Sequence, residues 1–299
     1  MFQKESTLLS LRNMKIHPLY LDFFAFLDQM GEEDPWLSYQ RSYLNPHEKF
    51  LTAYWKNFNY FDIDQIADRV RQIKGEDYGH LRSLIQSQDP GVLADGALKR
   101  CQRVYPLKPQ PPVYLFVGFF SADGVTLEVD GSPSIALGLE RFRDFQDLPL
   151  LISHEYGHCT QRSLLKDVFP PGERSLLFTI IAEGLSVFFS QVVYPEIPRH
   201  RHLFLTPERM QWCQENRETL LELAGADLPS PKLVPVLFGP GDPRAGLPPR
   251  LGYFIAREML GHCLSHHGVE DFSQSFPGFE DLFRKIIACQ LLPAKPEKE

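Results

Sequence analysis

Two histidines and a glutamate stand close together in the run Ile152-Ser153-His154-Glu155-Tyr156-Gly157-His158. At 3.6 residues per turn, positions four apart share a helix face. The two imidazoles then lie about 6 Å apart, and one divalent ion such as zinc can take a nitrogen from each at roughly 2.0 Å. Glu155 is rotated about 100° from His154. From there it can reach a water at the metal without binding the metal itself, which is the position a general base needs. On a solvated helix face the same three residues would do none of this. The flanks argue for burial instead: Leu148, Leu150, Leu151 and Ile152 precede the motif, and Leu164 and Leu165 follow it. A helix over 147–165 therefore packs into a core, where two imidazoles and a carboxylate need a compensating partner.

A zinc site with an open position takes three protein ligands. The extended pattern H-E-x-x-H-x-x-G-x-x-H fails here, because Gln161 stands in place of the glycine and Leu164 in place of the third histidine. Asp167 falls at the helix end, and Glu173 adjoins Pro170, Pro171 and Gly172 in a loop. Glu183 is different: it is the only charged residue between Leu176 and Val192, a run of Leu, Ile, Val and Phe expected to be the second metal helix, 176–192. A lone carboxylate in such a run is costly unless paired. The 24 residues between His158 and Glu183 let one helix end, a Pro-Pro-Gly loop turn the chain, and an antiparallel helix return the carboxylate to the histidines.

Taken together, His154-Glu155-Tyr156-Gly157-His158 and Ala182-Glu183-Gly184-Leu185-Ser186 resemble the gluzincin zinc metallopeptidases, whose second motif reads N-E-G-F-A in the zinc aminopeptidases. They also resemble predicted zinc peptidases with an E-G-L-type second motif. The resemblance spans about Val113 to Val192. It implies zinc ligands His154, His158 and Glu183, with Glu155 as catalytic base. Two departures stand out. The interval to Glu183 is longer than in thermolysin, and Val187 occupies the place of the aspartate that orients a histidine in thermolysin-like enzymes. The outer contacts of the ligands must then be built differently, with Ser186 or a backbone carbonyl. No G-A-M-E-N-like segment precedes the first motif, so aminopeptidase specificity is not supported. In similar peptidases the last strand before the metal helix is an edge that pairs with extended substrate. By that likeness Ile135, Ala136, Leu137 and Gly138 either contact a substrate backbone by strand addition or form a structural edge with no ligand.

The elements that must position these groups follow from pattern. With 299 residues and 43% hydrophobic content, the chain can bury a substantial core. A helical N-terminal region over 1–105 is punctuated by Gly31, Asp34-Pro35, Asn45-Pro46 and Gly75, with Asp34 and Asn45 as N-caps. Its aromatics, including Phe23, Trp36, Tyr39, Tyr43, Phe50 and Tyr54, recur at helix-core spacing. After the proline-rich stretch Pro106–Pro112 the period changes. Strands are expected at 113–117, 125–129 and 134–139, separated by turns at Ser121-Ala122-Asp123-Gly124 and Gly131-Ser132-Pro133. This small sheet leads into the metal helix. Beyond 192 come a helix at 207–224, a Pro/Gly-rich segment 228–249 that either covers the cleft or is an open excursion, and helices at 251–266 and 279–291. The fold class is α+β and mostly helical, a zincin-like catalytic domain over 106–299 that follows the N-terminal region.

Charge and cysteine content set further bounds. Thirty-one basic against 38 acidic residues, net −7, argue against a nucleic-acid partner. The one basic knot, Arg199-His200-Arg201-His202, reads as a solvated loop. Five cysteines lack any C-x-x-C pair and read as reduced thiols. No leader or stretch near eighteen apolar residues is evident, so no membrane partner and a cytoplasmic location are expected.

Peptide hydrolysis at zinc wants a second donor for the tetrahedral oxyanion. Tyr253 is the first choice and His262 the reserve. Nine positions apart on one helix, they point about 180° from each other, Tyr253 with Arg250 and Arg257, His262 among Leu251, Phe254, Ile255 and Met259. Arg250 or Arg257 could steer a substrate carboxylate. The expectation is a zinc-dependent endopeptidase or oligopeptidase acting on peptide or protein substrates. The alternatives are a regulatory or binding module that keeps the metal without turnover, and hydrolysis of a non-peptide amide.

Overall fold

The computed structural model describes residues 15–31, 33–58, 62–119, 122–164 and 175–266. By contact the chain divides into two compact units, Met1–Cys159 and Thr160–Glu299. The first opens with strand β1 (Ile16–Pro18) and helices α1 (Tyr20–Asp28), α2 (Pro35–Tyr39), α3 (Glu48–Asn57), α4 (Ile63–Arg71), α5 (Gly79–Ser87) and α6 (Pro90–Val104). Strands β2 (Val113–Phe116), β3 (Gly124–Val129) and β4 (Ser132–Gly138) follow, and then the long helix α7 (Leu148–Leu164), which runs unbroken past Cys159. Asp34 caps α2 as expected, its carboxylate accepting the Trp36 N–H at 3.1 Å with proline at the next position. Asn45 does not cap. A π-helical turn, Gln40–Leu44, passes directly into a 3-10 turn, Asn45–His47, and Asn45 at φ −61°, ψ −41° is itself helical, whereas a capping residue must leave the helical region.

The strand order is β1-β2-β4-β3, with β1, β2 and β4 parallel and β3 antiparallel to β4. Asp130 and Gly131, at φ 49° and 76°, close the β3–β4 hairpin; a two-residue loop of this sign suits the twist of the strands and is best met by Asp-Gly. The turn expected at Gly131-Ser132-Pro133 therefore ends sooner, and Pro133 lies within β4 opposite Glu128. A second expectation is corrected as well. Strand β4 is interior, bonded to β2 on one side and β3 on the other. The backbones of Ile135, Ala136 and Leu137 are thus committed to two ladders, that of Gly138 pairs with β2 and donates its N–H to the Asp123 carbonyl at 3.1 Å, and all four residues are buried, so β4 cannot accept an added strand. Among the described strands the edges are β1 and β3.

One face of the sheet is covered by α3. Phe50 stacks on Tyr114 at 4.3 Å and meets Phe116 at 5.0 Å, and Tyr54 meets Phe116 at 4.5 Å. Tyr39, Tyr43, Phe23 and Phe26 are fully buried in the same unit, so the aromatic stripes are core. This packing joins what a boundary at residue 105 would separate. Helix α7 lies against the other face. A Cβ on Gly124 would come within 2.9 Å of Leu151 Cδ2, so glycine there lets helix and strand approach.

The second unit holds α8 (Leu176–Val193), α9 (Arg199–His202), α10 (Pro207–Glu215), α11 (Arg217–Gly225), α12 (Val234–Leu237) and α13 (Leu251–His266). Helix α8 packs on α13: Leu176, Ile180 and Val187 share a buried cluster with Leu251, Phe254, Ile255 and Ala256. The expectation that no stretch comes near eighteen apolar residues is corrected by α8: among the described helices it alone is long and apolar enough to cross a membrane, with a mean hydropathy of 1.9 over 18 residues, and 56% of it is buried inside the protein. The helix expected at 207–224 is two, broken at Asn216, whose side chain donates to the Trp212 carbonyl at 2.8 Å. The segment 228–249 is not a poorly ordered excursion. It contains α12, a 3-10 turn at Pro243–Ala245 and a bridge between Asp242 and Leu247, with Leu228 and Leu237 buried in the α8–α13 core. The expected helix at 279–291, Asp167, Glu173 and the loop Pro170-Pro171-Gly172 lie outside the described residues.

Candidate metal centre

Helix α7 buries the residues around its motif. Leu148, Leu150, Ile152, Tyr156 and Cys159 are fully enclosed, as an interior helix requires. The Tyr156 hydroxyl donates to the Tyr105 carbonyl at 2.8 Å and accepts the Leu107 N–H at 3.1 Å, anchoring the helix to the proline-rich stretch; burial pushes that phenol well above its ordinary range. His154 is buried and His158 partly so, with ring centroids 4.9 Å apart and planes at 82°. One helical turn separates them, as the spacing predicts.

Glu183 is the third member. One ligand atom from each of His154, His158 and Glu183 can be chosen so that all lie within 4.8 Å of one another. Two imidazole nitrogens and a carboxylate oxygen are a donor set that zinc accepts while keeping a position open. Helix α8 brings Glu183 there with two supports. Ser175 caps its start, accepting the Phe178 N–H at 3.2 Å. Gly184 lies where a Cβ would sit 3.0 Å from the Ala256 carbonyl and 3.1 Å from Leu260 Cδ2, so the helix seats closely on α13 next to the ligand. Gln161 adds a third constraint. Its amide donates to the Ala182 carbonyl at 2.8 Å and to Ser186 Oγ at 2.9 Å, gripping α8 on both sides of Glu183. Ser186, expected alongside a backbone carbonyl as an alternative outer contact of the ligands, thus has Gln161 as a hydrogen-bond partner.

Glu155 is only 6% exposed. Its Oε2 accepts the Thr126 hydroxyl at 2.7 Å, and the same hydroxyl lies 3.0 Å from the Glu155 carbonyl. The sequence reading missed both Gln161 and Thr126. Gln161 is a polar residue on a buried helix turn, which was signal enough; Thr126 carried none.

The remaining expected site residues lie in the second unit. Tyr253 is partly buried, edge-on to Phe204 at 5.0 Å and Phe238 at 5.4 Å. His262 is exposed, which corrects its expected place among apolar side chains: α13 turns Leu251, Phe254 and Ile255 inward and His262 outward. Arg250, at φ 66°, holds its guanidinium 5.9 Å above Phe204. Arg257 lies 5.3 Å above Phe188 and 3.5 Å from Glu258, a carboxylate shared with Arg217 at 2.7 Å and with Arg199. Burial lowers its pKa, and its charge is already engaged. The basic knot is not a solvated loop: it is helix α9, with His202 buried between Ser190 Oγ at 2.9 Å and the Ile197 carbonyl at 3.2 Å.

Two histidines one turn apart and a returning glutamate, with the buried Glu155 next to His154 in the chain, form a group that could hold a metal ion. Residues 123–275, just over half of the chain, match the family described as Predicted Zn-dependent protease (DUF2268), and the chain belongs to that family. No curated protein matches it, and no solved structure does.

Proposed function

We propose that this protein is a zinc peptidase of gluzincin type, acting on peptide or protein substrates as an endopeptidase or oligopeptidase. The observation that carries the reading is the convergence of His154, His158 and Glu183 next to the buried carboxylate of Glu155. Bound by these three residues, zinc supplies Lewis acidity, polarising a carbonyl and lowering the pKa of water toward about 7. Glu155 takes the proton from the attacking water and delivers it to the leaving amine. Thr126 places that carboxylate beside the edge strand β3, so β3 is the strand against which an extended peptide lies. Tyr253 is the first choice for assisting the oxyanion and His262 the reserve. Cys101, Cys159 and Cys213 are buried and none is in a disulfide, in keeping with the expected reduced thiols and cytoplasmic location.

The test is a mixed fluorogenic peptide library with zinc-loaded wild type and Glu155→Gln. Cleavage by the wild type that falls by at least about a thousandfold in Glu155→Gln supports the reading. Zinc bound at one per chain without any cleavage would replace it with a binding module.

A further inference from the structure

We propose that Thr126 is a positioning residue that holds one oxygen of Glu155 and so aims the other. The inference rests on the reading of Glu155 as general base. Thr126 lies on β3, 4% exposed, with its backbone in register with Ile135 of β4. Its β-branched side chain has few rotamers, and the strand is fixed by the hairpin closed at Asp130-Gly131. A hydroxyl has a single proton to give. Two oxygens of Glu155 compete for it, the backbone carbonyl at 3.0 Å and Oε2 at 2.7 Å. The carbonyl is an interior helix acceptor, already served by the N–H four residues on; the carboxylate oxygen Oε2 is the closer acceptor. The proton therefore goes to Oε2. Cys159 Sγ, at 4.0 Å, is a weak third partner.

A glutamate side chain free to turn about three bonds would spend only part of its time with an oxygen facing the substrate. With Oε2 held by a rigid strand residue, the remaining oxygen has a defined direction. Misplacement of a catalytic group by about 1 Å costs on the order of a hundredfold in rate. The change falls on turnover, since Thr126 acts through Glu155.

The experiment uses the full zinc-loaded chain and compares Thr126→Val, nearly isosteric but without the hydroxyl, with Thr126→Ser, which restores it. On the fluorogenic peptides cut by the wild type, Thr126→Val should lose at least about tenfold in kcat with KM within about twofold, while Thr126→Ser stays within about threefold of wild type. Both should hold one zinc per chain. A second readout needs no turnover: calorimetric titration with acetohydroxamate, a zinc chelator whose N–OH proton passes to a neighbouring carboxylate. Its affinity should fall about fivefold or more in Thr126→Val and recover in Thr126→Ser. Wild-type kcat and acetohydroxamate affinity in Thr126→Val, or equal impairment of the serine variant, would overturn the proposal. Failure of the underlying reading looks different: Glu155→Gln cleaves as well as wild type, or no peptide is cut. In the latter case equal hydroxamate affinity in wild type and Thr126→Val still overturns the role of Thr126.

Discussion

Replacing Gln161 with leucine removes two hydrogen bonds while nearly preserving buried volume. Gln161 is 5% exposed and Ser186 is fully buried, so no water readily replaces the amide. The lost contacts are 2.8 Å to the Ala182 carbonyl and 2.9 Å to Ser186 Oγ. Two neutral bonds contribute about 1 kcal/mol each, and a stranded serine hydroxyl adds to the loss, for a total of about 2–3 kcal/mol. That figure should appear in urea denaturation of the metal-free protein as a lower midpoint at unchanged slope. Because the two contacts bracket Glu183 on α8, zinc affinity should fall as well, by about tenfold to a hundredfold, the cost typical of losing an outer support of a ligand. Competition with a chromophoric chelator measures it. A variant within about 0.5 kcal/mol of wild type that also binds zinc as tightly would refute the claim that Gln161 sets the position of α8.

Two further substitutions probe the second unit. Gly184→Ala should destabilise by about 1–3 kcal/mol in the same urea assay, because its Cβ meets the Ala256 carbonyl at 3.0 Å; helix propensity alone would stabilise by about 1 kcal/mol, so the sign decides. His202 has its pKa lowered to about 4 by burial. The unfolded chain then binds more protons between pH about 4 and about 6.5, so this residue's stabilisation is complete above about 6.5 and fades as pH falls through that window, by about 3 kcal/mol in all. His202→Gln should flatten that part of the pH–stability curve of the metal-free protein, and an unchanged slope would count against the assignment.

Where a residue's environment follows from its neighbours in sequence, it was legible beforehand. His154 and His158 share a face by spacing alone, and Glu183 was conspicuous as a lone carboxylate in an apolar helix. Long-range pairing was not available in that way. Nothing local announces that β4 lies between β2 and β3, although the unbroken burial from Ser134 to Gly138 reflects a run without polar alternation, which marks an interior strand. Strand β1, three residues long, is too short for a period. Thr126 looks like any strand threonine until the hairpin sets it over Glu155, and Gln161 was weighed as a failed glycine position when its own amide was the informative group. Asn216 and Asn45 show the same limit: both have side chains suited to helix boundaries, and tertiary packing used one to break a helix and absorbed the other into a continuous turn.

The central claim is that His154, His158 and Glu183 together hold zinc. Zinc K-edge absorption spectroscopy on the stoichiometrically loaded protein addresses it directly, read against Glu183→Ala. The account predicts one zinc per chain, two imidazole nitrogens at about 2.0–2.1 Å and a carboxylate oxygen at about 2.0–2.2 Å, with the carboxylate contribution and most of the affinity gone in the variant. A spectrum with cysteine sulfur, or one that Glu183→Ala leaves unchanged, would contradict it.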